Sequence, residues 1–184
     1  MNLHKYSAYE GQHAFLGASN YHWINYTPEK LITVYRNFKA VEMGTRLHSF
    51  AAECIRLKQK LPRSTKTLNM YVNDAIGFGM EPEVVLFYSP NCFGTADAIW
   101  FDDHTLRIHD LKTGSTPAHM EQLYIYAALF FLDYHANPTE YKVELRIYQH
   151  DEVLIENPAS IDISNYMLKI QSFDKIIEDL KKEV

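Results

Sequence analysis

Cysteine is scarce in this sequence. Cys54 and Cys92 are the only thiols among 184 residues, too few for a four-thiolate metal site or an iron–sulfur cluster. Their scarcity fits a reducing compartment. Glycine and proline are sparse as well, at 7 each, which excludes a low-complexity linker. No apolar run approaches the ~18 residues of a membrane span; the longest, Tyr124 to Leu132, is roughly half that. The opening segment MNLHKYSAYEGQ lacks the apolar core of a secretory signal, so the expected location is the cytoplasm. A basic surplus is also missing. The formal charge is −5 and the pI about 6.0, which argues against a passive coat on nucleic acid.

Two motifs are absent too. No GxxxxGK[ST] pattern occurs, so neither a nucleotide cofactor nor a helicase or ATPase domain is expected. The nine histidines (His4, His13, His22, His48, His104, His109, His119, His135 and His150) are scattered. With no HExxH and no cysteine pair at finger spacing, zinc hydrolysis is not the expected chemistry.

What remains is a globular composition, 47% hydrophobic, 14% aromatic and 22% charged. A chain of this size is one domain by the usual prior. It buries about 70% of its unfolded surface and needs no disulfide or metal to hold a core. There is no internal repeat, block of like charge or Pro/Gly-rich linker. Residues 1–43 read as an N-terminal helical region, 44–150 as a catalytic core, and 151–184 as a C-terminal strand and helix.

The first 28 residues are aromatic and irregular. Thr27-Pro28 then reads as a cap and first residue of a helix reaching about Val41. Gly44-Thr45 is expected to break it and open a second helix to Lys60, with Leu47, Phe50, Ala51, Cys54 and Lys58 on one stripe. A third helix is expected from Ser64 to about Ile76, ended by Gly77 and Gly79. The period then changes. Glu83–Tyr88, Gly94–Phe101 and Thr105–Lys112 are short β-rich runs, separated by Ser89-Pro90-Asn91 and Asp102-Asp103, and read as an antiparallel meander. Thr116-Pro117 signals a helix from Ala118 to His135. Tyr141–Gln149 and Glu152–Glu156 pair through His150-Asp151. A closing helix to Lys181 would turn Tyr166, Ile170, Phe173, Ile177 and Leu180 inward. This order suggests an α/β or α+β fold, a mixed sheet flanked by helices.

Chemistry concentrates in the meander. Strand side chains alternate faces, so Asp110 and Lys112 point the same way, and across the hairpin Asp97 falls near Asp110. Two carboxylates and one ammonium around a point suit Mg²⁺ or Mn²⁺ held with phosphate and water. The lysine would stabilise a developing phosphorane or orient the attacking water. A surface hairpin with a cross-strand ion pair is the structural alternative. His48, beside the apolar stripe of the second helix, is a candidate further ligand, against the commoner structural histidine. Gln122 and Tyr126, four apart on one helix face, could hold a phosphate or nucleobase, or be a core tyrosine beside a partly exposed glutamine. His109 alternates to the opposite strand face and reads as core or surface. His119 is a weaker phosphate candidate. Arg46, Lys58, Lys66 and Arg107 could form a basic rim, and some of the 13 Tyr and 10 Phe could stack on an unpaired strand.

Gly44…His48, Glu83, Gly94-Thr95-Ala96-Asp97, Asp110-Leu111-Lys112-Thr113-Gly114 and Gln122…Tyr126 together resemble the PD-(D/E)XK nucleases. The likeness is to the RecB-like branch, which includes CRISPR-adaptation and small phage exonucleases. Gly17-Ala18-Ser19, with Trp23 shortly after, looks like the start of the phage members. The resemblance covers about residues 17 to 150. It implies a restriction-endonuclease-like core, with His48, Asp97, Asp110 and the backbone carbonyl of Leu111 as metal ligands. It further implies Lys112 as the catalytic lysine, Gln122 and Tyr126 as DNA-positioning residues, and Glu83 as an acidic residue that joins a second metal or holds a water. Asp110 stands where many relatives have Glu, and the cluster cysteines of some relatives are missing. The expected activity is a metal-dependent deoxyribonuclease, an exonuclease on DNA ends or single strands. It would serve recombination, repair or processing, in a phage or mobile-element setting, with a recombinase, annealing protein or helicase as partner. The rival expectations are a non-cleaving DNA-binding module and a subunit active only within such a complex.

Overall fold

A computed structural model describes residues 14–102 and 104–183. The expectations that fall on residues 1–13, including His4 and His13, and on Asp103 lie outside the described residues. Two compact units divide the chain after Met43.

In the first unit a 3-10 helix (Ala18–Asn25) is tied by Trp23, whose indole N–H donates to the Gly17 carbonyl at 2.9 Å. Pro28 opens α1 (Pro28–Arg56), and the Thr27 hydroxyl accepts the Lys30 N–H at 3.3 Å, the expected cap. Phe15 and Tyr35 meet in a T-shaped pair with ring centroids 5.0 Å apart, with Phe38 beside them.

The helix does not break at Gly44, contrary to the sequence expectation; α1 is continuous over 29 residues. Gly44 is there for space, not for a turn. A Cβ at Gly44 would stand 2.8 Å from the Thr113 hydroxyl. The helix stops at Arg56, with Lys58 left-handed (φ 54) and Gln59 N–H bonded to the Cys54 carbonyl.

The second unit continues with α2 (Thr67–Gly77), three residues later than the spacing predicts, and closes at Gly79 with φ 67. Five strands follow: β1 (Glu81–Ser89), β2 (Cys92–Phe101), β3 (Thr105–Leu111), β4 (Lys142–Gln149) and β5 (Glu152–Glu156). Their spatial order is the sequence order. Only the β3–β4 pairing is parallel, and α3 (Glu121–Asp133) lies in its crossover. The sheet is therefore mixed and flanked by helices, an α/β arrangement. The β4–β5 hairpin turns on His150 and Asp151, both with positive φ, the geometry of a two-residue primed turn.

Alternation along β3 and β4 divides the core between two faces. Leu106, Ile108, Leu145 and Ile147 pack with Leu123, Ala127, Phe130 and Phe131 of α3 and with Ile163 of α4 (Ser160–Lys182). Leu111 and Tyr148 pack with Ala51 and Cys54 of α1 and Tyr71 and Val72 of α2. Each large side chain fully buried this way contributes about 1.5–3 kcal/mol.

Two further expectations are corrected. Thr116-Pro117 does not start α3. The Gln149 amide donates to the Gly114 and Thr116 carbonyls while its oxygen accepts the Ala118 N–H, holding residues 114–118 as a loop. On α4, Phe173 (54% exposed) and Leu180 (55%) face solvent, and only Ile163 is fully buried. No helix among the described residues is long and apolar enough to cross a membrane.

Candidate metal and catalytic centre

Register assembles the centre. The pairs Pro82↔Ala98 and Val84↔Ala96 leave Glu83 opposite Asp97. Ala98↔His109 leaves Asp97 opposite Asp110 on the other side. At this level the β2–β3 ladder has ended, and the Asp97 carboxylate replaces it by accepting the Leu111 N–H at 2.8 Å. The next N–H, of Lys112, donates to the Tyr148 carbonyl at 2.9 Å. The Leu111 carbonyl shares its peptide group with that Lys112 N–H, so the Tyr148 bond fixes it and the Asp97 bond fixes the peptide before it.

Glu83 is held at φ 55 inside a strand. A non-glycine residue there costs about 1–2 kcal/mol. Such strain persists where the surrounding structure over-determines it, and it clusters at functional sites.

α1 supplies His48, whose Nδ1 lies 3.3 Å from Asp97 Oδ1. That hydrogen bond is the main cause that raises the imidazole pKa. Burial opposes it, and the charges of Asp97, Asp110 and Glu83 add to it. His48, Glu83 and Asp97 each offer a ligand atom within 4.8 Å of the others. Nitrogen and carboxylate donors suit a first-row or hard divalent ion. The 3.3 Å between His48 Nδ1 and Asp97 Oδ1 is close to the about 3 Å that separates neighbouring donors placed at about 2.1 Å and right angles around Mg²⁺.

The sequence placed Asp110 with His48 and Asp97 and put Glu83 at the margin. The structure puts Glu83 in the trio and Asp110 beside it. Asp110 is only 2% exposed. Lys112 Nζ donates to its Oδ1 at 3.2 Å; it lies 3.0 Å from Oδ2 but too obliquely, so Oδ2 has no hydrogen bond. Burial, then the Asp97 charge, pushes the Asp110 carboxyl up to about 6, with Lys112 and His48 opposing. A buried carboxylate oxygen that its ion-paired lysine leaves without an aligned hydrogen bond, beside three ligand atoms, has a lone pair that a metal ion would satisfy.

α3 completes the centre. Lys112 Nζ donates to Gln122 Oε1 at 2.6 Å, and Gln122 Nε2 to the Tyr126 hydroxyl at 2.9 Å. Burial raises the Tyr126 pKa. Its ring lies over β2 so closely that a Cβ at Gly94 would meet it at 2.9 Å. An ammonium has three donors and a phenol one. After these internal bonds Lys112 keeps one N–H and Tyr126 its O–H.

The other sequence candidates lie elsewhere. His109 is fully buried on the opposite face, its Nδ1 3.3 Å from the Tyr148 hydroxyl, and burial with the charges of Arg146 and Arg107 lowers its pKa to about 3. His119 is exposed. Lys66 pairs with Asp151, and Arg107 with Glu144 and the rings of Phe78 and Trp100, so neither forms a rim. Sequence reading missed the part of Thr113 against Gly44, and that of Gln149; no local pattern marks either. Tyr71 of α2 was not among the sequence candidates. Burial and the charges of Asp97, Asp110 and Glu83 hold that phenol well above its ordinary range.

Comparison of the chain with protein-family models, curated proteins and solved structures finds no match in any of the three. The fold and the centre define an α/β protein with a mixed sheet and a trio, His48, Glu83 and Asp97, whose ligand atoms converge as metal donors do.

Proposed function

We propose that the protein is a divalent-metal-dependent DNA nuclease with a restriction-endonuclease-like core, acting as an exonuclease in recombination, repair or processing. The observation that carries the reading is the convergence of His48, Glu83 and Asp97 next to a lysine that retains a free N–H. Acidic ligands for a divalent ion and a positioned ammonium at one point would stabilise the charge that builds on phosphorus during phosphodiester hydrolysis.

A bound Mg²⁺ or Mn²⁺ would neutralise charge building on the phosphate and ease ionisation of water. The residues do the rest. Asp110 and Gln122 fix the Lys112 ammonium from two sides, leaving its third N–H to hold a phosphate oxygen or the attacking water. Gln122 turns the Tyr126 hydroxyl so that its proton points away from the amide, free for another phosphate oxygen. Leu111 offers its carbonyl; the Tyr148 carbonyl holds the peptide that carries it through the Lys112 N–H, and Asp97 holds the preceding peptide.

The test is incubation of end-labelled linear and circular DNA with Mg²⁺, Mn²⁺ or EDTA. Metal-dependent loss of linear DNA alone supports the exonuclease; loss of both forms makes it an endonuclease. Binding without cleavage under any metal overturns the enzymatic reading in favour of a DNA-binding module. Asp97→Ala and Lys112→Ala are each expected to lower cleavage at least 100-fold with the fold intact, a size usual for loss of one charge-stabilising group.

A further inference from the structure

The stretch from Ile55 to Asn73 contains no acidic residue, yet it carries Arg56, Lys58, Lys60, Arg63 and Lys66. Interspersed with neutral residues and divided between two expected helices, these cations are too dilute to read as a block. In the structure they fall on the end of α1, the loop to α2 and the cap of α2, and all five are exposed. Lys66 is engaged by Asp151 at 2.7 Å. Arg56, Lys58, Lys60 and Arg63 have no ion pair among the described residues.

This loop is built, not slack. The Asn73 amide clasps Leu61 from both sides, accepting its N–H at 2.9 Å and donating to its carbonyl at 3.0 Å. Asn69 donates to the Pro62 carbonyl and to Ser64 Oγ. A fixed array of cations in an acidic protein loses little freedom when it binds a polyanion. Leu57 is the one large apolar side chain strongly exposed there, too little to enter a lipid surface.

The loop also connects to the centre. A cleft of about 250 Å³ is lined by Leu47, Thr67 and Leu68 on one side and by Lys112, Thr113 and His150 on the other. Its lining includes both Lys112 of the centre and Thr67 and Leu68 at the start of α2, where the loop ends. Eight residues of α1 separate His48 from Arg56, about 12 Å of helix. At about 3.4 Å per nucleotide along one strand, that is three to four nucleotides.

We infer that the α1–α2 loop is a phosphate-binding surface for a nucleic-acid strand. Such a strand leaves the metal centre through the Leu47–Leu68 cleft, and Arg56, Lys58, Lys60 and Arg63 hold its backbone three or more nucleotides away. The inference takes its partner from the nuclease reading.

The experiment measures binding of fluorescein-labelled single-stranded DNA in EDTA across a salt series. The protein is compared with a Lys58→Asn, Lys60→Gln, Arg63→Gln variant, Asn being chosen because it tolerates positive φ. Affinity for a 20-mer should fall at least tenfold, and the slope of log affinity against log salt should shrink by about 2, at ~0.7 per lost contact. Affinity for a trinucleotide should change less than twofold. The charge-keeping variant Lys60→Arg, Arg63→Lys should bind as the parent does, which separates charge from folding. Unchanged 20-mer binding and slope, an equal loss on the trinucleotide, or binding to phosphatidylserine vesicles but not DNA would each overturn the inference. Metal-dependent cleavage without these effects leaves the nuclease reading standing and this one refuted; salt-sensitive binding without cleavage does the reverse.

Discussion

Asp110 and Glu83 carry the tension of the centre in two forms, one electrostatic and one conformational. The Asp110 carboxyl holds its proton up to about pH 6 in the folded chain, against an ordinary value of 3.8. Between those values the folded state binds more proton than the unfolded state, so stability falls as pH rises through that window and stays lowered above it. Two units correspond to about 3 kcal/mol. Asparagine imitates the protonated acid at every pH. In EDTA, Asp110→Asn should therefore match the parent near pH 4 and exceed it by about 3 kcal/mol above pH 6.5, by urea denaturation. A difference independent of pH would remove the buried-charge account. Glu83 makes the second case. Glycine adopts its φ of 55 without strain, so Glu83→Gly should raise metal-free stability by up to about 1 kcal/mol. The same change should weaken Mn²⁺ binding at least tenfold by titration calorimetry. If stability drops in EDTA, the backbone at Glu83 is not the site of strain.

At the scale of elements, glycines report close approach more than flexibility. Gly44 lies within α1 because Thr113 presses on it, and the Thr113 Cβ is 4.0 Å from where a Cβ would stand. Gly44→Ala should destabilise the parent by about 1 kcal/mol, because an overpacked contact outweighs the helix propensity gained. With Thr113→Ala the obstacle is gone, and the same Gly44→Ala should stabilise by up to about 1 kcal/mol. A double-mutant cycle without that reversal of sign would show that Gly44 has another purpose. The strands were the most legible part of the sequence; β5 has the bounds its alternation suggested, since period and turn residues are local signals. Gly44 misled because a tertiary contact overrode propensity. Thr116-Pro117 misled because the loop's partner, Gln149, lies more than thirty residues away. The apolar stripe of α4 gave its face but not its cover. The far end of α4 meets the β1–β2 turn through polar groups, with Asp174 and Glu178 accepting from the Asn91 amide and Lys181 donating to its oxygen. In the centre, register made the adjacency of Asp97 and Asp110 readable. The left-handed backbone that brings Glu83 to His48 has no signature in the pattern.

For the whole molecule, net charge was a misleading scale. A total of −5 says nothing about an acidic centre and a basic loop on one chain. Three carboxylates, Glu83, Asp97 and Asp110, meet at the centre, and without a cation their mutual repulsion is a standing cost to the fold. A divalent ion that binds only the folded chain adds RT ln(1 + [L]/Kd), about 2.7 kcal/mol at a hundredfold excess over Kd. For a domain of this size that raises Tm by about 5–10 °C. The ion must displace protons, because it takes neutral imidazole and ionised carboxylate. His48 holds its proton above the ordinary imidazole range and Asp110 holds its own to about pH 6. The metal-free chain therefore loses stability as pH rises through those values, whereas the gain from metal grows. Scanning calorimetry with and without 1 mM Mn²⁺ should show a Tm increase that is small near pH 5.5 and several degrees larger near pH 8. Asp97→Ala should abolish the increase at both, since it removes a ligand and the anchor of the Leu111 peptide together. An equal increase in parent and Asp97→Ala would mean that Mn²⁺ stabilises the protein from somewhere other than the trio.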